Sequence, residues 1–386
     1  MASAPLTATP PQNTAAYLVS KNAQPLEVKS APYTPPAANE IVIQNHAIAV
    51  NPVDRGKQQA GNKMLSWIQY PFVLGSDVAG EVVEVGPGVS LFGVGDRVVG
   101  HAVGPDKRSN RSAEGAFQAY TVLRTNLAAK IPDSLGYENA CVLPLGLSTA
   151  ACGLFMKEYC GLELPTSTSR DGESKGTFIV WGGSTSVGSN AIQLARAAGY
   201  EVFTTASPKN FEYVRGLGAS QVFDYHDADT TKSMVAALKD KICVGAIAIG
   251  AGSLETCIEV VALAGGGGGK KRFVAQASLD LEVPKDGGAL GMVGALAGFV
   301  ALSAKLAVKA KVKGVTTKFI WGSDLMANEV GKAIWTEFLP AALAEGRYLA
   351  KPDPRVVGKG LDKIQEAMEI LFAGVSAEKI VVTLRV

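Results

Sequence analysis

Residues 180–190 read VWGGSTSVGSN, a glycine- and hydroxyl-rich turn between the β-forming run 178–181 and the helical run 191–198. Gly182 and Gly183 permit a tight turn, and the free N–H groups opening the following helix present partial positive charge to a dinucleotide pyrophosphate. Ser184, Thr185 and Ser186 add hydroxyl donors. Set against the fingerprint G-x-G-x-x-G, Gly182 and Gly188 read as its outer glycines and Thr185 stands at the middle place. Turns of this composition also occur without a cofactor, so the flanking chain decides.

The flanks alternate strand and helix. TFIVW precedes a helix through 186–198, EVFTTAS precedes 209–217, QVFDY precedes 229–240, and ICVGAIAIG precedes 254–263; RFVAQAS and GVTTKFIW supply two further strands. Units of this kind build a doubly wound parallel sheet, because right-handed crossovers place helices on both faces. The ligand crevice of such a sheet lies at the carboxyl ends of its strands, where the 180–190 turn falls. Residues 265–269, five glycines followed by Lys270 and Lys271, look like a second phosphate cradle but read better as a surface turn between helix and strand, since no helix start follows them.

Residues 15–135 have a different texture: short β-rich runs (AAYLV, IVIQNHAIAV, GEVVEVG, DRVVGHAV, AFQAYTVL) separated by Pro and Gly signals. This is the pattern of a small, largely antiparallel β domain. The tail reads as helix (AIWTEFLPAALAEG), extended segment (KPDPRVV), helix (GLDKIQEAMEILFAG) and final strand (EKIVVTLRV), which can pair with the first domain. The resulting division is 1–140 with 325–386, and 141–324 as a nucleotide-binding insertion.

Composition excludes several roles. A net charge of +2 without clustered basic stripes gives no footprint for nucleic acid. The five cysteines, Cys141, Cys152, Cys160, Cys243 and Cys257, form no C-x-x-C pair, which argues against a disulfide framework and a structural zinc lobe and fits a reducing, cytoplasmic setting. The amino terminus, MASAPLTATPPQ, lacks the cationic start and apolar run of a signal peptide. Residues 289–304 are uncharged and apolar but shorter than the roughly 20 residues of a spanning helix, so they read as a buried helix or a cover over the cleft.

The end of the second strand selects the dinucleotide. An NAD site places Asp or Glu about 20 residues beyond the glycine turn, for the ribose hydroxyls. Here the chain offers Ser207, Pro208, Lys209 and Asn210, a hydroxyl, an ammonium and an amide that donate to a 2′-phosphate, which favours NADPH. SPKN also suits a helix cap, with Ser ahead of Pro. Tyr225, ending the third strand, reads either as an adenine neighbour or as a core aromatic.

With these features in view, the chain resembles the zinc-independent, quinone-oxidoreductase-like medium-chain dehydrogenases/reductases, and within them the fungal CipB-like oxidoreductases and trans-acting enoyl reductases. The resemblance rests on NPVD (51–54), YPFVLGSDVAGEVVEVGPGV (70–89), VGDRV (94–98), LPLGLSTA (143–150), WGGSTSVG (181–188), SPKN (207–210), FDY (223–225) and RVVGKG (355–360). It implies a GroES-like amino-terminal domain completed by the tail, a Rossmann domain and an NADPH cleft between them. Where zinc relatives carry a His-Glu pair, this chain has Ser76 and Asp77, and neither His46 nor His101 has a suitably spaced ligand partner. By the same resemblance Val53, Asp54 and Lys57 lie near the nicotinamide, and Thr149 lies beside the reactive ring and the substrate. Ser184 to Val187, Ser207 to Asn210, Tyr225, Ala277, Ser278, Val356 and Val357 contact NADP, and Thr317, Lys318, Phe319, Ile320 and Trp321 border the substrate, in a region that also supports dimerisation.

Without an electrophilic metal, hydride delivery to an already activated acceptor is the expected chemistry. The leading expectation is NADPH-dependent reduction of a double bond conjugated to a carbonyl, small or carrier-bound, with Lys57 and Thr149 as donors or positioning groups. Quinone or aldehyde reduction on the same cofactor, or a low-turnover NADPH-binding protein, are the alternatives, with a monomer or homodimer as the assembly.

Overall fold

In a computed structural model of the chain, residues 11–166, 174–264, 272–278 and 289–384 are described. The 265–269 glycine run with Lys270 and Lys271 lies outside them, as do residues 1–10 and 167–173.

In chain order, β1 (Asn13–Leu18), β2 (Glu27–Ala31) and β3 (Glu40–Ala49) precede helix α1 (Pro52–Ala60). Strands β4 (Phe72–Val73), β5 (Asp77–Val85), β6 (Arg97–His101), β7 (Tyr120–Arg124) and β8 (Ala128–Lys130) lead to α2 (Tyr137–Ala140) and α3 (Pro144–Phe155). Strand and helix then alternate: β9 (Thr177–Trp181), α4 (Ser186–Ala197), β10 (Glu201–Ala206), α5 (Phe211–Gly216), β11 (Gln221–Asp224), α6 (Thr230–Ala237), β12 (Cys243–Ala248), α7 (Ser253–Leu263), β13 (Phe273–Gln276), α8 (Ala289–Val312) and β14 (Thr316–Phe319). The tail carries α9 (Glu329–Lys332), α10 (Leu339–Ala344), β15 (Asp353–Lys359), α11 (Ile364–Ala373) and β16 (Glu378–Thr383).

Contacts divide the chain into two units, Met1–Pro144 with Pro354–Val375 and Lys379–Val386, and Leu145–Asp353 with Ser376–Glu378. The first unit holds a seven-stranded sheet in which β3 pairs antiparallel with β5, β7 and the final strand β16, Val381 opposite Ala49. A smaller sheet, β2-β1-β4, lies in the same unit, and Ile41, Ile43, Val78, Val82, Phe117 and Ile380 are buried in its core. Helix α1 follows from local chemistry: Asn51 and Asp54 form a capping box across the first turn, with Pro52 at its start.

The second unit is built on a six-stranded parallel sheet of order β11-β10-β9-β12-β13-β14. The order reverses between β9 and β12, so the crevice at this switch point opens beside the carboxyl end of β9, at Gly182. Residues 325–353 pack in this unit rather than with the first domain as read from sequence. Trp335 Nε1 donates to Ser148 Oγ at 3.1 Å, Tyr348 OH to Asn190 Oδ1 at 2.6 Å, and Gln193 exchanges two hydrogen bonds with the Leu349 backbone. The helix read at 333–346 passes through a π-helical stretch, Ala333–Phe338, before α10, because Pro340 has no N–H to continue the ladder.

The apolar 289–310 stretch forms most of α8, but it is not the buried helix read from sequence: Val300, Val308 and Val312 are exposed, and the carboxyl half reaches the core through Leu306 and Ala310. Leu306 and Ala310 pack with Ile258 and Val261, while Lys309 bridges Glu255 (2.8 Å) and Glu259 (2.7 Å). Among the described residues one run, Tyr137–Phe155, is long and apolar enough to cross a membrane, and 83% of its window is buried in protein.

Candidate functional site

The turn after β9 has a separate reason for each glycine. Gly182 sits at φ +88°, in the left-handed region, and its N–H donates to Thr205 Oγ1 at 3.0 Å. A Cβ at Gly188 would stand 2.2 Å from Gly182 O, so the first turn of α4 approaches the loop backbone as only glycine allows. Gly183 is buried against Thr204. Counted strictly, the fingerprint spacing runs 183, 185, 188: Gly183, not Gly182, is its first glycine, and Gly182 is the residue that turns the strand.

Thr185 is the N-cap of α4. Its Oγ1 accepts from Gly188 N–H at 3.0 Å and donates to Gly182 O at 2.8 Å, so the hydroxyl closes the turn and leaves the pyrophosphate to others. Those others are present: the N–H groups of Ser184 and Val187 and the Ser184 hydroxyl have no partner among the described residues, and the first turn of α4 carries no acid. Orphan donors at a helix start, in a cradle that a Cβ would fill, fit an anionic diphosphate.

At the end of β10, Pro208–Asn210 forms a 3-10 turn with Ser207 before it. Asn210 is buried, and its amide donates to Ser207 Oγ (3.3 Å) and Ser376 Oγ (3.0 Å), so it braces the turn rather than facing outward. The Lys209 side chain is exposed and makes no ion pair among the described residues. Tyr225 is no core aromatic: its ring is 47% exposed and stacks on His226, with centroids 4.1 Å apart. Ala277 N–H donates to Ala248 O, and Ser278 Oγ accepts from Gly250 N–H at 2.8 Å, so both residues tie β13 to β12 at the crevice rim.

Helix α3 runs beside the cradle. A Cβ at Gly146 would meet Ser186 Oγ at 2.4 Å, which places this turn of α3 against the start of α4. Thr149 follows three residues later on the same face. It is 7% exposed, and its hydroxyl has no hydrogen-bond partner among the described residues. The polar atoms both sealed from solvent and unpartnered are Asn45 Oδ1, Arg55 Nε and Ser109 Oγ, so the Thr149 oxygen lies in the reachable part of its side chain. Of the strand residues expected to border the substrate, Thr317, Lys318 and Phe319 lie on the edge strand β14, and Trp321 is 45% exposed. Ile320 is 3% exposed and packs toward Gly153, which makes it core.

In the first unit, Lys57 is fully buried. Its ammonium donates to three carbonyls, Gly61 (3.0 Å), Met64 (3.0 Å) and Leu65 (3.1 Å), which exhausts its donors. Burial holds its pKa below the usual lysine range. Lys57 therefore ties down the chain after α1 and has nothing left for a substrate oxygen. Asp54 accepts from Asn51 N–H at 2.8 Å as the α1 capping box, and Val53 sits between them, partly exposed. Val357 packs on the first unit's core, which is a packing role, while Val356 is 47% exposed. His46 stacks on Tyr137, and His101 is cross-strand from Asp77.

Two family models match. Residues 37–133 fit the alcohol dehydrogenase GroES-like domain, and 186–266 the domain described as zinc-binding dehydrogenase. Over 97% of its length the chain is 51% identical to the whole of "Dehydrogenase pigH" of Monascus ruber. The chain belongs to the medium-chain dehydrogenase/reductase family. Two further members are the zinc-binding alcohol dehydrogenase domain-containing protein cipB of Emericella nidulans (43% identical, 96% of this chain and 98% of that one) and the trans-enoyl reductase himH of Aspergillus japonicus (39%, 96% and 97%). The crystal structure of CurK enoyl reductase shares the fold, with a TM-score of 0.69 at 16% identity over 97% of this chain and all of that one. As a medium-chain dehydrogenase/reductase the protein is an oxidoreductase working on a nicotinamide cofactor.

Zinc, which the second family description names, does not fit the residues present. Asp77 Oδ2 is held by Lys379 Nζ at 2.7 Å and by Asn51 Nδ2 at 2.8 Å, and an ammonium at that distance opposes a dication. Among the described residues no three His, Cys, Asp or Glu side chains gather as a metal set.

Proposed function

We propose that this medium-chain reductase uses NADPH to reduce the carbon–carbon double bond of an α,β-unsaturated carbonyl, free or carrier-bound. The observation that carries the reading is the Thr149 hydroxyl, without a partner among the described residues, on the α3 face that Gly146 holds against the phosphate turn. A single neutral donor polarises a carbonyl too weakly to open an unactivated one, but it stabilises the enolate oxygen of a conjugated acceptor. NADPH, when bound, supplies the hydride.

The chain's own residues do the rest. The N–H groups of Ser184 and Val187 bind the diphosphate, and the Ser207 hydroxyl and Lys209 ammonium take the 2′-phosphate in the absence of a carboxylate there. Thr149 Oγ1 donates to the acceptor oxygen while charge accumulates on it, and solvent returns a proton to the α-carbon. The relatives named as trans-enoyl reductases support the acceptor class.

The test is product analysis with purified protein, NADPH and a panel of enones, enoyl thioesters, quinones and aldehydes. The expected result is a saturated carbonyl compound with its C=O intact. Unchanged alkene across the panel, or reduction at the carbonyl oxygen or quinone alone, overturns the reading.

A further inference from the structure

We propose that Gly322 keeps the Thr149 hydroxyl open to the acceptor and thereby determines which acceptors are taken; this rests on the functional reading above. Gly322 opens the 3-10 run Gly322–Ala327, separated from the end of β14 at Phe319 by Ile320 and Trp321. A Cβ built on it would stand 2.6 Å from Thr149 Oγ1, 3.2 Å from Thr149 N and 3.3 Å from Leu145 Cδ1. Gly322 is absent from the residues with positive φ, so glycine is not demanded there by backbone conformation. What glycine provides is the missing methyl over a hydroxyl that has no other partner.

The backbone cannot withdraw to make room. Cys152, three residues beyond Thr149 on α3, donates its thiol to Trp321 O (3.4 Å) and Gly322 O (3.6 Å), and Ile320 N–H is fixed to Gln276 O at 2.9 Å. A methyl at 322 must therefore cover Thr149 Oγ1 or turn it away. An acceptor oxygen reaching Oγ1 brings the substituent on its carbonyl carbon with it, and that substituent needs the same space. The open position thus admits acceptors substituted at the carbonyl carbon, enones and enoyl thioesters, as well as enals, and a methyl there excludes the substituted ones first.

The experiment compares wild type, Gly322→Ala, Thr149→Val and the double variant on an enal, an enone and an enoyl thioester, with NADPH affinity measured in parallel. Gly322→Ala is expected to lower kcat/KM for the enone and thioester at least tenfold, to lower that for the enal less, and to leave the NADPH Kd within twofold. On the enal, which has no substituent to meet the added methyl, both act through one hydroxyl alone, and adding Gly322→Ala to Thr149→Val is expected to cause no further loss. Retained enone and thioester turnover in Gly322→Ala, or losses on the enal that multiply in the double variant, overturns the proposal and leaves the functional reading standing. Should Gly322→Ala fail to fold, Thr149→Val decides: unchanged kcat/KM means there is no hydroxyl for Gly322 to uncover. Wild-type protein inactive on every conjugated carbonyl overturns the functional reading, and this inference with it.

Discussion

Nζ of Lys379, on the final strand, stands 2.7 Å from Oδ2 of Asp77, on β5, with the two side chains 4% and 0% exposed. Lys379 also donates to Asn51 Oδ1, so one buried ammonium joins the last strand, the second strand of the main sheet pairing and the start of α1. Removing one member of such a pair leaves a carboxylate without compensation. Lys379→Met is expected to destabilise the protein by about 3–5 kcal/mol in urea titration, and adding Asp77→Asn to restore part of the loss. A loss below about 1 kcal/mol for Lys379→Met contradicts this assignment.

Asp54 makes stability depend on pH. Burial first, and then the charge of Asp77, push its carboxyl up to about 7, against the pull of the Asn51 and Gly75 N–H groups and Lys379. Its folded pKa lies above the unfolded value, so its contribution is complete below about pH 4 and is lost as pH rises through 7. His101 works in the opposite direction: burial lowers its pKa to about 4, so its contribution is complete above pH 6.5 and is lost as pH falls toward 4. Asp54→Asn is therefore expected to gain on wild type by on the order of 3 kcal/mol between acid and mildly alkaline buffer, read as urea midpoints at about pH 5 and about pH 8. A stability difference that does not change with pH would sink the assignment.

Lys209 supplies an exposed ammonium beside the Ser207 hydroxyl at the end of β10. Lys209→Ala is expected to weaken NADPH binding about tenfold, roughly 1.4 kcal/mol, and to leave NADH binding within about twofold, by fluorescence titration. An unchanged preference between the two nucleotides would remove the 2′-phosphate argument.

Lys57 is expected to matter for folding and little for chemistry. Lys57→Met removes the ammonium shared by three carbonyls, of which Gly61 O and Leu65 O keep a backbone N–H, and is expected to cost about 1–3 kcal/mol of stability. Below its unfolding transition the variant should keep kcat within about twofold of wild type. A well-folded Lys57→Met protein with kcat reduced a hundredfold would return the lysine to the acceptor.

The parallel sheet was legible because each strand is a compact β-branched or aromatic run followed by helical periodicity, as in Thr177–Trp181 before Ser186–Ala197. The strands that escaped reading are short or polar: EVKSA at Glu27–Ala31, two residues at Phe72–Val73 and three at Ala128–Lys130 take their shape from neighbours. Helix α1, PVDRGKQQA, hides its signal in the cap rather than in any apolar period. At the candidate site, residue type named suitable groups without showing which atoms the fold leaves free. Thr185, Asn210 and Lys57 carry suitable groups whose hydrogen bonds go elsewhere in the fold. Gly322 gave no sequence signal, since its meaning lies in a contact with Thr149 far back along the chain.

The tail's pairing with the first unit governs the order in which the molecule can be made. Strand β3 is synthesised before the nucleotide-binding unit, yet its partner β16 is synthesised after nearly all of it. The nucleotide-binding unit, continuous from Leu145 to Asp353 apart from three later residues, is complete well before then. The first unit waits with an unpaired strand edge until β16 emerges, so a chain interrupted between Asp353 and Glu378 carries a nearly complete nucleotide fold together with an open, aggregation-prone first unit.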